Sequence, residues 1–218
     1  MINTVLFDLD GTLVDTAPDL GYALNIQLER HGKPVLADEV IRPYASHGTR
    51  GLLEIGFQLS PDDADFIGMR DEYLAIYDQV FTRSPRLFDG MDLLLNTLES
   101  KGLAWGIVTN KPGRFTRPLV ESMGLNLRAA AVISGDDAAL PKPSPATLLL
   151  ACDKIGVKPE NCLYIGDAAR DIEAGRAAGM KTVVALFGYI DSRDQPEQWL
   201  ADYMIKQPEQ ILTLLNLS

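Results

Sequence analysis

Apolar positions along the chain fall into two alternating rhythms. Short continuous runs occupy residues 4–7, 103–109, 131–134, 162–165, 181–186 and 203–205. Such runs, rich in Val, Ile and Leu and lacking polar alternation, predict strands covered on both faces. Between them lie amphipathic stretches over 91–100, 114–123, 145–155 and 171–178. These are followed by Gly102, Gly124, Gly156 and Gly179, each a helix stop. Repetition of helix, glycine and strand predicts βαβ units and a parallel sheet, hence an α/β fold with helices on both faces. Pro118 falls inside the second of these helices, where a kink or a late start is expected.

One region breaks the rhythm. No strand signal occurs between about Thr16 and Arg83. Pro18 can open a helix that carries Leu20, Leu24 and Leu28 on one face and ends at Gly32. Ser60-Pro61-Asp62-Asp63 reads as a second helix start, with a cap, a proline and acids in the first turn. Phe66, Met69, Tyr73, Ile76, Tyr77 and Val80 follow at three- and four-residue steps and read as core packing. The pattern therefore divides the chain into an α/β core, residues 1–15 and 84–218, and an inserted all-helical cap, residues 16–83.

Composition narrows the possible partners. The 218 residues are 46% hydrophobic and carry a formal net charge of −10. A field of that sign opposes general binding of nucleic acid or anionic membrane. An anionic substrate would need the field reversed locally by a metal or a few basic side chains. Asp8 interrupts the apolar N-terminus, so no signal peptide is read, and no apolar run is long enough to span a membrane. Cys152 and Cys162 make no disulfide framework and read as core thiols. A cytoplasmic protein is expected. Oligomeric state is not legible.

Sites in open α/β sheets lie beyond the carboxyl ends of the strands. Asp8-Leu9-Asp10-Gly11-Thr12 follows the first run and Thr109-Asn110-Lys111 the second. The third leads through Gly135-Asp136-Asp137 to Lys142-Pro143, and the fourth ends at Gly166-Asp167 with Asp171 beyond. Carboxylates gathered at one sheet edge repel unless a cation sits among them. Hard oxygen donors suit Mg²⁺ together with a substrate phosphate, and a hydroxyl and a lysine can hold the remaining phosphate oxygens. The implied reaction is attack on the phosphoryl group of a small-molecule monoester.

In this order, Phe7-Asp8-Leu9-Asp10-Gly11-Thr12-Leu13, Thr109-Asn110, Lys142-Pro143 and Gly166-Asp167 with Asp171 resemble the four motifs of the haloacid dehalogenase superfamily. The resemblance spans nearly the whole chain. It implies a Rossmann-like core with a helical cap inserted after the first strand. It also implies that Asp8 is the nucleophile of an aspartyl-phosphate intermediate and Asp10 the general acid and base. Thr109 and Lys142, with Asn110 beside Thr109, would hold phosphoryl oxygens. Asp8, the Asp10 carbonyl, Asp167 and Asp171 would surround Mg²⁺, Asp171 directly or through water.

The acid at Asp10 argues against the dehalogenases and phosphonatases of the superfamily. A sugar-phosphate mutase and a non-catalytic phosphate-binding module are the alternatives to a phosphatase. Within the superfamily the chain resembles the phosphoglycolate phosphatase group. Its tail, Phe187-Gly188-Tyr189-Ile190 through Asp194, Pro196, Trp199 and Ala201-Asp202, is more similar to bacterial N-acetylmuramic acid 6-phosphate phosphatases. The resemblance further implies that Ser46 to Gly51 faces the site, with His47 and Arg50 meeting the substrate. Asp15 is expected to cap the first cap helix and Asp19 to decorate its first turn. Lys111, Arg114 and Arg170 are expected to be solvated charges.

Overall fold

The protein is described by a computed structural model that covers residues 2–217. In chain order its elements are β1 (Thr4–Phe7), β2 (Val14–Asp15), α1 (Ala17–Arg30), α2 (Asp38–Ile41), a 3-10 turn (Arg42–His47), α3 (Gly48–Phe57), α4 (Phe66–Tyr77) and β3 (Arg86–Leu87). Then come α5 (Met91–Ser100), β4 (Ala104–Val108), α6 (Gly113–Ser122), β5 (Ala131–Ile133), α7 (Ala146–Ile155), β6 (Cys162–Gly166), α8 (Ala169–Ala177), β7 (Lys181–Ala185), β8 (Tyr203–Ile205) and α9 (Gln210–Leu214).

Six strands form one parallel sheet in the order β5-β4-β1-β6-β7-β8. Every residue of β1 and β6 is buried, the physical reason that their sequences are continuous apolar runs. Successive side chains of a strand point to opposite faces. Val5 and Phe7 accordingly pack with Leu94, Leu98, Trp105 and Ile107, while Leu6 packs with Val108, Ile133, Leu148 and Tyr164. Cys152 and Cys162 lie in this second layer as buried free thiols, their sulfurs 3.7 Å apart. The chain moves outward from β1 to β4 and β5, then crosses back to β6 on the other side of β1. That reversal opens a crevice at the carboxyl end of β1.

Between β2 and β3 the secondary structure is helical. Leu20, Leu24 and Leu28 of α1 pack with Ile41, Leu52, Tyr73, Ile76 and Tyr77, and Phe115 and Tyr189 from the sheet domain join the same cluster. β2 and β3 pair antiparallel as a two-stranded ribbon at the crossing between the two regions, a feature too short to show in the apolar pattern.

Two local expectations are corrected. The helix expected to start at Ser60-Pro61 begins only at Phe66. The Asp63 carboxylate instead accepts bonds from the Ser60 amide at 2.6 Å and its hydroxyl at 2.9 Å, closing a turn that competes with helix. α6 starts at Gly113 and continues through Pro118, which lies on its exposed face. Among the described residues no helix is long and apolar enough to cross a membrane.

Candidate active site

The Asp8 amide extends the β1 ladder, donating to the Ile165 carbonyl at 2.8 Å, so the side chain emerges where the sheet ends. Its Oδ1 accepts from the Leu9 amide at 2.8 Å and lies 2.9 Å from the Lys142 ammonium. Lys142, in the loop between β5 and α7, is buried. Its Nζ also meets Asp171 Oδ1 at 2.7 Å, the Tyr164 hydroxyl at 2.8 Å and the Val108 carbonyl at 3.1 Å. Asp171 sits in the first turn of α8, where its other oxygen accepts from the Ala168 amide at 3.0 Å. A buried charge is tolerated only when paired and hydrogen-bonded, and this centre meets that condition.

Asp167 closes the group. Its oxygens accept from the Thr12 hydroxyl at 3.3 Å and the Tyr189 amide at 2.8 Å. Asp8, Asp167 and Asp171 each place one oxygen within 4.8 Å of the others, all buried. Such a donor set could hold a hard cation. The backbone is fitted to it. At Gly11, with φ of +84°, a Cβ would stand 2.2 Å from Asp167 Oδ2, and at Gly188 a Cβ would stand 2.3 Å from the Asp167 Cβ.

Electrostatics point the same way. Burial pushes the Asp8 carboxyl up to about 6 against the pull of Lys142. Burial, with Asp8 and Asp171 adding repulsion, pushes Asp167 up to about 8. Burial works against the charge on Lys142, yet Asp171 and Asp8 hold its pKa above the ordinary value. Without a metal ion Asp8 and Asp167 thus hold their protons to higher pH than free carboxyls, and a bound metal ion would displace those protons.

Asp10 stands at the rim. Its Oδ1 accepts from the Thr16 hydroxyl at 2.5 Å and the Lys111 ammonium at 3.0 Å. Thr109 is buried at the end of β4, its hydroxyl accepting from the Lys111 amide at 3.1 Å. The Asn110 side-chain amide is held at both its nitrogen and its oxygen. It donates to the Lys142 carbonyl and accepts from the Lys142 amide, both at 2.8 Å. Asn110 thus ties the Lys142 loop to the end of β4.

Asp8, Asp10 and Thr109 open into a cleft of about 860 Å³. His47 and Arg50, where the 3-10 turn gives way to α3, line its opposite side. Apolar wall comes from Leu20, Tyr73, Leu74 and Phe115. Arg114 lies over the Phe115 ring at 4.4 Å.

Several expectations about charge are overturned. Lys111 is not solvated: its side chain is 7% exposed, held between Asp10 and the Tyr77 hydroxyl. Nor is Arg170, which donates to the Ser46 carbonyl at 2.8 Å and hydroxyl at 3.1 Å. Burial opposes its charge, while Asp171, Asp8 and Asp167 hold its pKa up. Asp15 does not cap α1. It is buried and accepts from Arg42 at 2.9 Å, Arg86 at 3.1 Å and the Tyr189 hydroxyl at 3.0 Å. Asp19 does lie in the first turn of α1, but buried, accepting from the Ser84 amide at 2.9 Å.

Sequence reasoning missed Tyr164, Asp191 and Arg193. Arg193 pairs with Asp191 at 2.7 Å, holding that acid down to about 2, and reaches Glu54 of α3 at 3.4 Å. Tyr164 is hidden because an apolar strand gives no hint that its hydroxyl meets Lys142.

Comparison with known proteins places this geometry in context. Residues 5–185 match the family model of the haloacid dehalogenase-like hydrolases. The chain is 39% identical over 215 residues to an N-acetylmuramic acid 6-phosphate phosphatase of Pseudomonas aeruginosa, covering 99% of this chain and 95% of that protein. It is 42% identical over 205 residues to a phosphoglycolate phosphatase of Xylella fastidiosa, covering 94% of this chain and 89% of that protein. The fold is shared with a haloacid dehalogenase-like family hydrolase from Streptococcus pneumoniae, with a TM-score of 0.83 over 98% of each chain at 21% identity.

Proposed function

The chain belongs to the haloacid dehalogenase-like hydrolases, and from that premise we propose that it is a phosphomonoesterase working through an aspartyl phosphate on Asp8. One observation carries the reading. A buried lysine, Lys142, holds the Asp8 carboxylate at the sheet edge, with Asp10 two residues on and the cleft before them. An attacking carboxylate and a phosphate dianion repel, and fixed positive charge removes that penalty.

In the first step an Asp8 oxygen bonds to phosphorus and the bond to the leaving oxygen breaks. Asp10 delivers its proton to that oxygen. In the second step Asp10 takes a proton from water, the water oxygen attacks phosphorus, and the bond to Asp8 breaks, restoring both acids. The Thr109 hydroxyl and Lys142 hold the other phosphoryl oxygens, and Asn110 keeps Lys142 in place. Asp8, Asp167 and the Asp10 carbonyl would hold Mg²⁺, with Asp171 contributing directly or through water. When bound, the ion supplies positive charge to the phosphoryl oxygens.

The substrate we favour is a bulky sugar acid phosphate of the N-acetylmuramic acid 6-phosphate type rather than phosphoglycolate. The cleft of about 860 Å³ falls in the range of roughly 300–1,000 Å³ that encloses drug-sized ligands. Part of its wall is aromatic and apolar, from Leu20, Tyr73, Leu74 and Phe115. Arg50 and Arg114 line it with no ion pair among the described residues, which suits a carboxylate on the leaving group. The test is phosphate release from both esters, with and without Mg²⁺. A larger kcat/KM for the sugar acid is expected; a larger value for phosphoglycolate would reverse the substrate reading. Release that ignores Asp8→Asn would overturn the mechanism.

A further inference from the structure

Lys111 occupies a position that the two chemical steps leave unexplained. Its ammonium bridges two regions: Asp10 of the sheet domain at 3.0 Å and the hydroxyl of Tyr77, the last residue of α4, at 2.8 Å. Tyr77 is itself fixed. Its ring stacks on Tyr73 with centroids 6.0 Å apart and meets Phe115 edge-on at 5.2 Å. Burial holds the Tyr77 hydroxyl well above its ordinary pKa, so it stays protonated. Ordering a long lysine side chain costs entropy, and two fixed ends are needed to hold it. Asp10 Oδ1 already accepts from Thr16 and Lys111, whereas Oδ2 has no partner among the described residues. The oxygen free to carry a proton toward the cleft is therefore Oδ2.

We propose that Lys111 is a positioning residue: bridged between Tyr77 and Asp10, it turns Asp10 Oδ2 toward the leaving oxygen only while the helical region sits over the sheet edge. The inference rests on the reading of Asp10 as acid and base. Movement of α4 away from the sheet domain would take the Tyr77 hydroxyl with it and leave the ammonium one anchor. Proton delivery would then be tied to the position of α4 through Lys111, in addition to the direct bond that Thr16, at the start of the helical region, makes to Asp10 Oδ1.

The test uses the full chain with Mg²⁺ and compares kcat/KM for two esters. This constant reports the steps up to formation of the aspartyl phosphate. An alkyl phosphate needs its leaving oxygen protonated; an aryl phosphate with an acidic phenol does not. In Lys111→Met the alkyl ester should lose about 100-fold, the low end of general acid catalysis, and the aryl ester less than about threefold. Tyr77→Phe keeps the ring and should lose roughly tenfold on the alkyl ester only. Retained aryl activity shows that each variant is folded. An equal loss on both esters, as a lysine that simply binds phosphate would give, overturns the proposal, and so does no loss on either. Asp10→Asn separates the two levels. If it hydrolyses the alkyl ester at the native rate, the acid and base reading falls. If it is slow while Lys111→Met shows no selectivity, only the role of Lys111 falls.

Discussion

On the sheet side of the cleft, Lys142 and Asp171 are enclosed, and Lys142 faces Asp8, Asp171, Tyr164 and a backbone carbonyl at 2.7 to 3.1 Å. On the helical side, His47 and Arg50 are exposed, and neither side chain makes a hydrogen bond or ion pair among the described residues. The contrast arises from solvation. A charge removed from water must be matched atom by atom, so one change on the sheet side disturbs several partners. A charge that stays in water costs little to hold and little to move. The first condition suits chemistry that needs one geometry, and the second suits recognition of a leaving group.

The sharpest way to break this contrast is at Asp8. Asp8→Asn should lower kcat on the order of 10⁴–10⁶ while the protein remains folded, checked by phosphate release and urea melts. Lys142→Met should come next. It leaves Asp8 and Asp171 buried without their cation, a loss of about 3–5 kcal/mol in unfolding free energy. A value near zero in urea titration would mean that the sheet side is as tolerant as the helical side.

Metal removal probes the same centre by pH. Burial raises the folded pKa of Asp8 to about 6 and that of Asp167 to about 8, from 3.8. The metal-free native state then keeps protons that the unfolded chain has released. Its stabilising contribution is complete below 3.8 and is lost as pH rises through those folded values. Thermal melts in chelator should therefore fall in midpoint over that window, and Mg²⁺ should flatten the slope; a rising midpoint in chelator would contradict the cluster described here. The smallest effect belongs to the helical side. Arg50→Ala should raise KM for a carboxylate-bearing ester roughly tenfold and leave kcat nearly unchanged, as steady-state kinetics would show.

The strand ends were legible because burial on both faces writes a strand as a continuous apolar run, and the residue after such a run must lie at the sheet edge. Asp8, Asp10, Thr109, Lys142 and Asp167 could be located by that reasoning. Asn110 was located too, but its bonds to the Lys142 backbone could not be foreseen, since they join residues on different loops. Asp15 carried a stronger local signal, a short acid before a proline-started helix, and that signal misled. Arg42, Arg86 and Tyr189 reach it from distant parts of the chain and outweigh the local cap.

Local sequence was enough to establish the α/β order, the helical insertion after the first strand and the set of acids brought to one edge. Each of these depends on periodicity and on the residues just beyond each apolar run, properties of chain neighbours. Which charges are buried, and what faces them, was settled by three-dimensional packing alone. Lys111 and Asp10 are separated by 101 positions, and Arg170 and Ser46 by 124. Their solvated or enclosed state depends on how the helical region settles against the sheet, because desolvation is a property of the whole surrounding surface and not of local sequence.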